Sequence, residues 1–341
     1  MEKRAAHEDD VGSLFTWHVP LFAVANRRAF ARERRARVDA WCAGQASDSL
    51  ERRVVELVTA PEAPSAALCH AALERSASAP GFSGPDQYLR AALLQRFALS
   101  AVDPDGAGGG RRARAFGPTD AYGAAAEAFA WCEAARGGGG VASIPDVVVE
   151  LGLTLVRTAL VAGMTEEVEA PLAAVAENAS RVHAVHVRFH AWSSIAIARL
   201  AQGNPEAALI PVNRAKILAD RARDLAGQWH AERIRAQALS MAGRTWAEAA
   251  AHAEVASLAE RVADDLDSTS DLRRDATVSA LQSRARLLTR MREDGRDQAA
   301  SREAEAMLRR IARARAAGDA DETALAEFES LALADSRREG R

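Results

Sequence analysis

Apolar residues in this chain return every three or four positions, and glycines interrupt them at regular distances. Trp192, Ile195, Ala196 and Arg199 recur at helical spacing, and Gly203 follows where a left-handed cap would end the helix. The chain then restarts at once. Asn204 is a good N-cap, Pro205 suits the first helical position and Glu206 favours the positive end of a helix, after which Ala208, Val212 and Ala215 form a second stripe. The stretch predicts two helices joined by a tight turn.

The same turn recurs. "LVAGMTEEVEA" surrounds Gly163, "RLAQGNPEAAL" surrounds Gly203 and "LSMAGRTWAEAA" surrounds Gly243, with the three glycines forty residues apart. A fourth copy, "LTRMREDGRDQAAS" around Gly295, comes after a gap of fifty-two. Thr165 and Asn204 are the expected helix starts in the first two turns, and Thr245 with Glu248 reads as a capping box in the third. Each turn glycine is expected at positive φ.

The Trp192, Ile195, Ala196, Gly203, Ala208, Ala215 pattern resembles the tetratricopeptide repeat. In that family a large residue, an apolar-small pair, a turn glycine and two small residues of the second helix recur at these spacings. The resemblance covers residues 145–317, with Gly152, Glu232 and Arg284 at the position of Trp192 in the other copies. It implies an all-α, right-handed α-solenoid of helix-turn-helix repeats, in which small residues let helices approach and stacking buries faces that no single hairpin could bury.

Four regions follow from this reading: 1–48, an N-terminal apolar segment and a basic amphipathic helix; 49–140, degenerate helical hairpins; 141–317, four repeats; and 318–341, a capping helix and tail. Within the second region 50–58, 65–77, 86–100 and 120–136 are amphipathic or alanine-rich and read as helices. The glycine-rich stretches 103–117 and 137–140 between them read as mobile linkers. The last helix is expected over 321–334, with Leu325, Phe328 and Leu331 on one stripe.

Composition adds limits to this architecture. A net charge of −3 gives no global attraction to nucleic acid or membranes. Lys3 and Lys216 are the only lysines, an arginine bias expected of a GC-rich bacterial genome. Cys42, Cys69 and Cys132 are odd in number and widely spaced, which indicates neither a disulfide framework nor a thiolate zinc site and fits a reducing cytoplasm. The apolar run 14–25 is too short to span a bilayer, contains His18 and Pro20, and follows Glu8, Asp9 and Asp10, unlike a signal peptide; it reads as a buried or docking segment.

Enzyme signatures are sparse: the chain has no G-x-x-x-x-G-K-[ST], no H-E-x-x-H and no G-x-S-x-G. In "RVHAVHVRFHAW", however, His183, His186 and His190 lie on one helical face. In the resembled fold His190 and His230 share an inward-facing position in successive repeats, so the four imidazoles would line one wall. Such a wall suits general ligand contact, acid–base chemistry or a divalent metal. Arg27, Arg28, Arg32, Arg34, Arg35 and Arg37 surround a stripe of Phe30, Val38 and Trp41, a basic helix that could pack on the array or contact acidic protein, phosphate or a membrane surface. "ADDLDSTSD" (263–271) lacks the glycine and terminal glutamate of a calcium loop and reads as a helix end followed by the N-caps Ser270 and Asp271.

The resemblance implies a non-enzymatic, cytoplasmic protein without a cofactor, whose concave groove binds a protein, a peptide or a small ligand. Similar arrays form the sensor parts of maltose-regulator-like transcription factors and of bacterial peptide-pheromone receptors. No DNA-binding module is recognisable, so a regulatory or adaptor role requires a separate output protein, reached through the 27–37 helix. The implied groove residues are Glu150 and Arg157, His190 and Ser193, His230, Arg233 and Gln237, then Gln282 and Arg292, with His183 and His186 beside them. Arg157, Arg233 and Arg292 would supply anion contacts. Ordinary imidazoles there would strengthen acidic-ligand binding between about pH 7.5 and 6. Two other classes fit parts of the pattern: a metal or cofactor enzyme using His183, His186, His190 and His230, and an arginine-rich nucleic-acid-binding solenoid.

Overall fold

The computed structural model describes residues 42–59, 65–77, 87–102, 116–135, 145–182, 185–265 and 268–334, with 36, 39 and 40. The apolar run 14–25, the basic helix with its six arginines and the stripe Phe30, Val38 and Trp41, His183, most of the two glycine-rich stretches and the final tail lie outside the described residues. Among the described residues there is no strand, so the chain is all-α over that span. The helices are α1 (Leu50–Thr59), α2 (Ala66–Ser76), α3 (Gln87–Val102), α4 (Pro118–Ala135), α5 (Pro145–Val161), a 3-10 turn (Thr165–Val168), α6 (Glu169–Ala179), α7 (Val185–Ala201), α8 (Pro205–Ala222), α9 (Leu225–Met241), α10 (Thr245–Asp264), α11 (Ser270–Glu293), α12 (Asp297–Ala317) and α13 (Glu322–Leu333). None of them is long and apolar enough to cross a membrane. The chain divides between Gln202 and Gly203 into two compact units.

In the first unit neighbouring helices pack in chain order, and α5 also touches α3 and α7. The sequence of α5 explains its central place. Val147, Val148, Val149, Leu151, Leu153, Leu155 and Val156 leave it only one narrow polar stripe, and a helix apolar on most of its sides must be buried on most of them. Gly152 lets α6 come close, since a Cβ there would stand 2.6 Å from Val175 Cγ2 and 3.4 Å from the Phe129 ring. Val54, Leu93, Phe97, Ala125 and Leu151 share one core with Cys42, Cys69 and Cys132. All three are buried and outside any disulfide, and burial pushes the Cys69 thiol up to about 11. At the other end of the unit Arg199 pairs with Glu169, and Gln202 Nε2 donates to the same carboxylate at 2.8 Å, which ties α7 to the start of α6.

In the second unit α8 to α13 also pack in chain order, and α13 returns to touch α11. Alanines and mid-sized aliphatic residues form the contacts: Ala236, Ala251, Val255, Leu258, Ala259, Ala276 and Ala280 surround Trp229, whose indole N–H donates to Ser279 Oγ at 3.1 Å. Leu281, Leu288, Met307, Ile311 and Leu325 carry the core on towards the last helix.

Every predicted turn glycine adopts positive φ: Gly163 at 76°, Gly203 at 72°, Gly243 at 67° and Gly295 at 67°. At Gly163, Gly243 and Gly295 the next N–H reaches back five residues while the glycine N–H bonds three back, for example Arg244 N to Leu239 O at 2.9 Å and Gly243 N to Ser240 O at 3.0 Å. That paired closure satisfies carbonyls which the helix end would otherwise leave open. Trp192, the large residue of the pattern that ends at Gly203, is buried.

The helix starts follow the sequence less closely. Asn204 caps α8 as expected, accepting from Ala207 N at 3.2 Å, and Asp321 caps α13. Thr165 is no cap, because the 3-10 turn begins at Thr165 after Met164 and no side chain closes it. Thr245 and Glu248 do not form a capping box. Thr245 already belongs to the helix, Arg244 precedes it without a side-chain cap, and the Glu248 carboxylate points along the helix towards His252 instead. After the acidic stretch the cap is Thr269, accepting from Leu272 N at 3.3 Å, so Ser270 and Asp271 lie one and two residues inside α11.

Candidate binding site

Glu150 and His190 were expected on one inward face, and in the first unit their two helices pack together. Asp146, Glu150, Thr154 and Arg157 follow one another at three- or four-residue steps along α5. His186, His190 and Ser193 do the same on α7. Thr154 fixes the register of α5 by donating to the Glu150 carbonyl at 2.8 Å and accepting from Gln95 Nε2 of α3 at 3.1 Å.

The groups brought together are buried yet incompletely bonded. Glu150 is 4 % exposed and Ser193 1 %. Glu150 Oε1, Ser193 Oγ and His186 Nε2 are buried without a hydrogen-bond partner among the described residues. Native interiors seldom leave such atoms unpaired, because each costs about 1–3 kcal/mol.

Electrostatics favours the neutral forms of Glu150, His186 and His190. Burial, with Asp146 adding to it, holds the Glu150 carboxyl well above its ordinary range. Burial lowers His186 against the opposing pull of Asp146. His190 is pushed down to about 4 by burial and by the Arg157 guanidinium and His186. Desolvation works against the expected strengthening of acidic-ligand binding between pH 7.5 and 6, because it disfavours the imidazolium of His186 and holds His190 down to about 4. The site offers a carboxyl whose ionisation burial disfavours, a hydroxyl and imidazoles whose protonation burial disfavours, with the exposed guanidinium of Arg157 at its edge.

The remaining predicted residues belong to the second unit. On α9, His230 is partly buried, while Arg233 and Gln237 are exposed; the Arg233 guanidinium sits 5.2 Å from the centre of the Trp229 ring. On α11, Gln282 is exposed and Arg292 donates to the Leu331 carbonyl at 3.1 Å, which engages its charge in holding α13. Among the described residues no group of three or more His, Cys, Asp or Glu side chains is placed to hold a metal ion, and His183 lies outside them.

One feature of the second unit was missed from the sequence. A cavity of ≈ 390 Å³ opens between the end of α9, α10 and α11, lined by Glu248, His252, Arg286 and Arg290 among others. The only signal for it was the Glu248-to-His252 spacing, one helical turn, which the capping-box reading had absorbed.

No protein-family model matches this chain, and no curated protein is significantly similar to it.

Proposed function

We propose that the chain is a non-enzymatic, right-handed α-solenoid of tetratricopeptide-like repeats that binds a peptide or protein segment, as a sensor or adaptor component of a bacterial regulatory system. The observation that carries this reading is the set of buried polar atoms on Glu150, His186 and Ser193 that have no hydrogen-bond partner among the described residues. Neutral donors and acceptors of this kind match the amide groups of an extended peptide, which presents both along its backbone and brings no charge to be desolvated. Arg157 at the exposed edge suits a carboxylate on the same ligand. Positive φ at the turn glycines and the run of alanines at helix contacts support the repeat architecture. Three buried cysteines outside any disulfide suit a reducing compartment such as the cytoplasm.

The test uses full-length protein as bait in extracts of its native host, with Arg157→Ala and Arg233→Ala as companion baits. The parent captures a defined partner, and Arg157→Ala loses it while keeping the parent's thermal transition, since exposed side chains contribute little to the core. Arg233→Ala separates the contributions of the two units. Full-yield capture by Arg157→Ala would remove the α5–α7 face from the binding surface and overturn the reading.

A further inference from the structure

The cavity in the second unit holds opposite charges that do not pair. Glu248 and His252 stand one turn apart on α10, and Arg286 faces them from α11. Arg286 Nη1 lies 3.2 Å from His252 Nε2, and Glu248 Oε1 lies 3.8 Å from the same nitrogen. A guanidinium can only donate, so Nε2 accepts from it and the ring proton resides on Nδ1. That Nδ1 is buried and has no partner among the described residues.

Carboxylate and guanidinium thus converge on one imidazole nitrogen without forming an ion pair with each other. Arg286 forms no ion pair among the described residues, and the only basic group paired with Glu248 is the imidazole. His252 is 6 % exposed and held below its ordinary pKa by burial and by Arg286, against the pull of Glu248, which leaves the imidazole a poor partner for the carboxylate. The other charges lining the cavity are already matched, since Arg290 pairs with Glu293 at 3.6 Å and with Asp294 at 3.3 Å. Thr245 and Thr289 add hydroxyls to the lining, and Ala249 and Leu287 add an apolar part. A volume of ≈ 390 Å³ is at the small end of the ligand-pocket range of roughly 300–1,000 Å³.

We propose that this cavity binds a small zwitterion of the α-amino-acid type, its carboxylate on Arg286 and its ammonium on Glu248. A simple anion would satisfy Arg286 and leave Glu248 unmatched, and a simple amine would do the reverse. An ammonium and a carboxylate on one carbon complete both at once. Glu248 and Arg286 are positioned for this by the imidazole between them, which holds the guanidinium by hydrogen bond and keeps the two side chains from collapsing onto each other.

Isothermal titration of the full-length protein with each of the twenty free L-amino acids tests the site. Each amino acid that binds is then compared with its des-amino acid and its decarboxylated amine. At least one amino acid gives saturable binding below about 1 mM, and both single-charge analogues bind at least about tenfold more weakly. Glu248→Gln weakens the amino acid by about tenfold but leaves the des-amino acid unchanged, and Arg286→Gln removes binding of both. Both variants retain the parent's thermal transition, which separates lost binding from lost folding. Absence of binding across the panel up to about 10 mM would overturn the proposal, as would des-amino acids binding as tightly as the parent amino acid, which would leave an anion site only.

Discussion

Glu150 in the first unit and Glu232 in the second are both buried carboxylates on helices, and they are treated in opposite ways. Glu232 is fully buried and accepts from Lys216 Nζ at 2.6 Å and from Arg235 Nε at 2.9 Å. Glu150 keeps an oxygen without a partner, and burial raises its pKa. The second unit as a whole is mixed, since His252 Nδ1 and Arg310 Nε are also buried without a partner among the described residues, but most of the buried charges near Glu232 are matched. In the second unit Arg310 is met by Asp264 at 2.6 Å and by Thr277 at 3.2 Å, and Arg284 joins Glu260 of α10 to Glu303 of α12. In the first, Ser193 and His186 are left open beside Glu150's helix. A buried charge with matched neighbours holds helices in register, whereas one left open is a standing cost that a ligand can remove.

The largest effect expected from this contrast is in the second unit. Glu232→Gln deprives Lys216 and Arg235 of their carboxylate and should lower stability by about 3 kcal/mol, read by urea unfolding. A change below about 1 kcal/mol would mean that the clasp is ornamental and the contrast false. Next comes Gly152→Val, which drives a side chain into Val175 across the α5–α6 contact and should cost about 1–3 kcal/mol. Because α5 carries Glu150, that variant should also impair partner capture, a coupling that has no counterpart at the turn glycines.

Titration sharpens the same comparison. His190 is neutral in the fold down to about 4, against an ordinary value near 6.5, so the unfolded chain takes up its proton first as pH falls. Stability should therefore drop between about pH 6.5 and 4, by about 3 kcal/mol for this group, and His190→Gln should flatten the slope. The smallest effects concern the caps. Asn204→Ala should cost about 1 kcal/mol, while Glu248→Ala should change thermal stability by less than about 0.5 kcal/mol, because the capping box it was expected to form is absent.

Much of the architecture was legible because local chemistry decides it. Gly203 between two apolar stripes admits few conformations, and the spacing of its copies announced the turns before any packing was known. The three departures from Trp192 at its repeat position were not legible. Gly152 is explained by Val175 of α6, Glu232 by Lys216 on α8, and Arg284 by carboxylates on two other helices, all contacts across sequence distance. The helix starts failed for a related reason: threonine is as acceptable just inside a helix as at its cap, and only the backbone distinguishes Thr245 from Thr269. In the candidate site, helical spacing placed Glu150, His186, His190 and Ser193 on common faces. It carried no information on burial, and burial is what disfavours the charged form of those imidazoles.

Thermal unfolding of Glu150→Gln tests most directly whether Glu150 is kept for binding rather than for the fold. Its carboxyl is raised in the folded state, so the native protein holds that proton longer than the unfolded chain and loses relative stability as pH rises through the raised value. Glutamine cannot ionise and keeps the shape. The variant should melt at or above the parent, with the difference growing in its favour as pH rises above the ordinary carboxylate range. A variant that melts well below the parent at those pH values, as Glu232→Gln is expected to, would show that Glu150 stabilises the fold and would contradict the account.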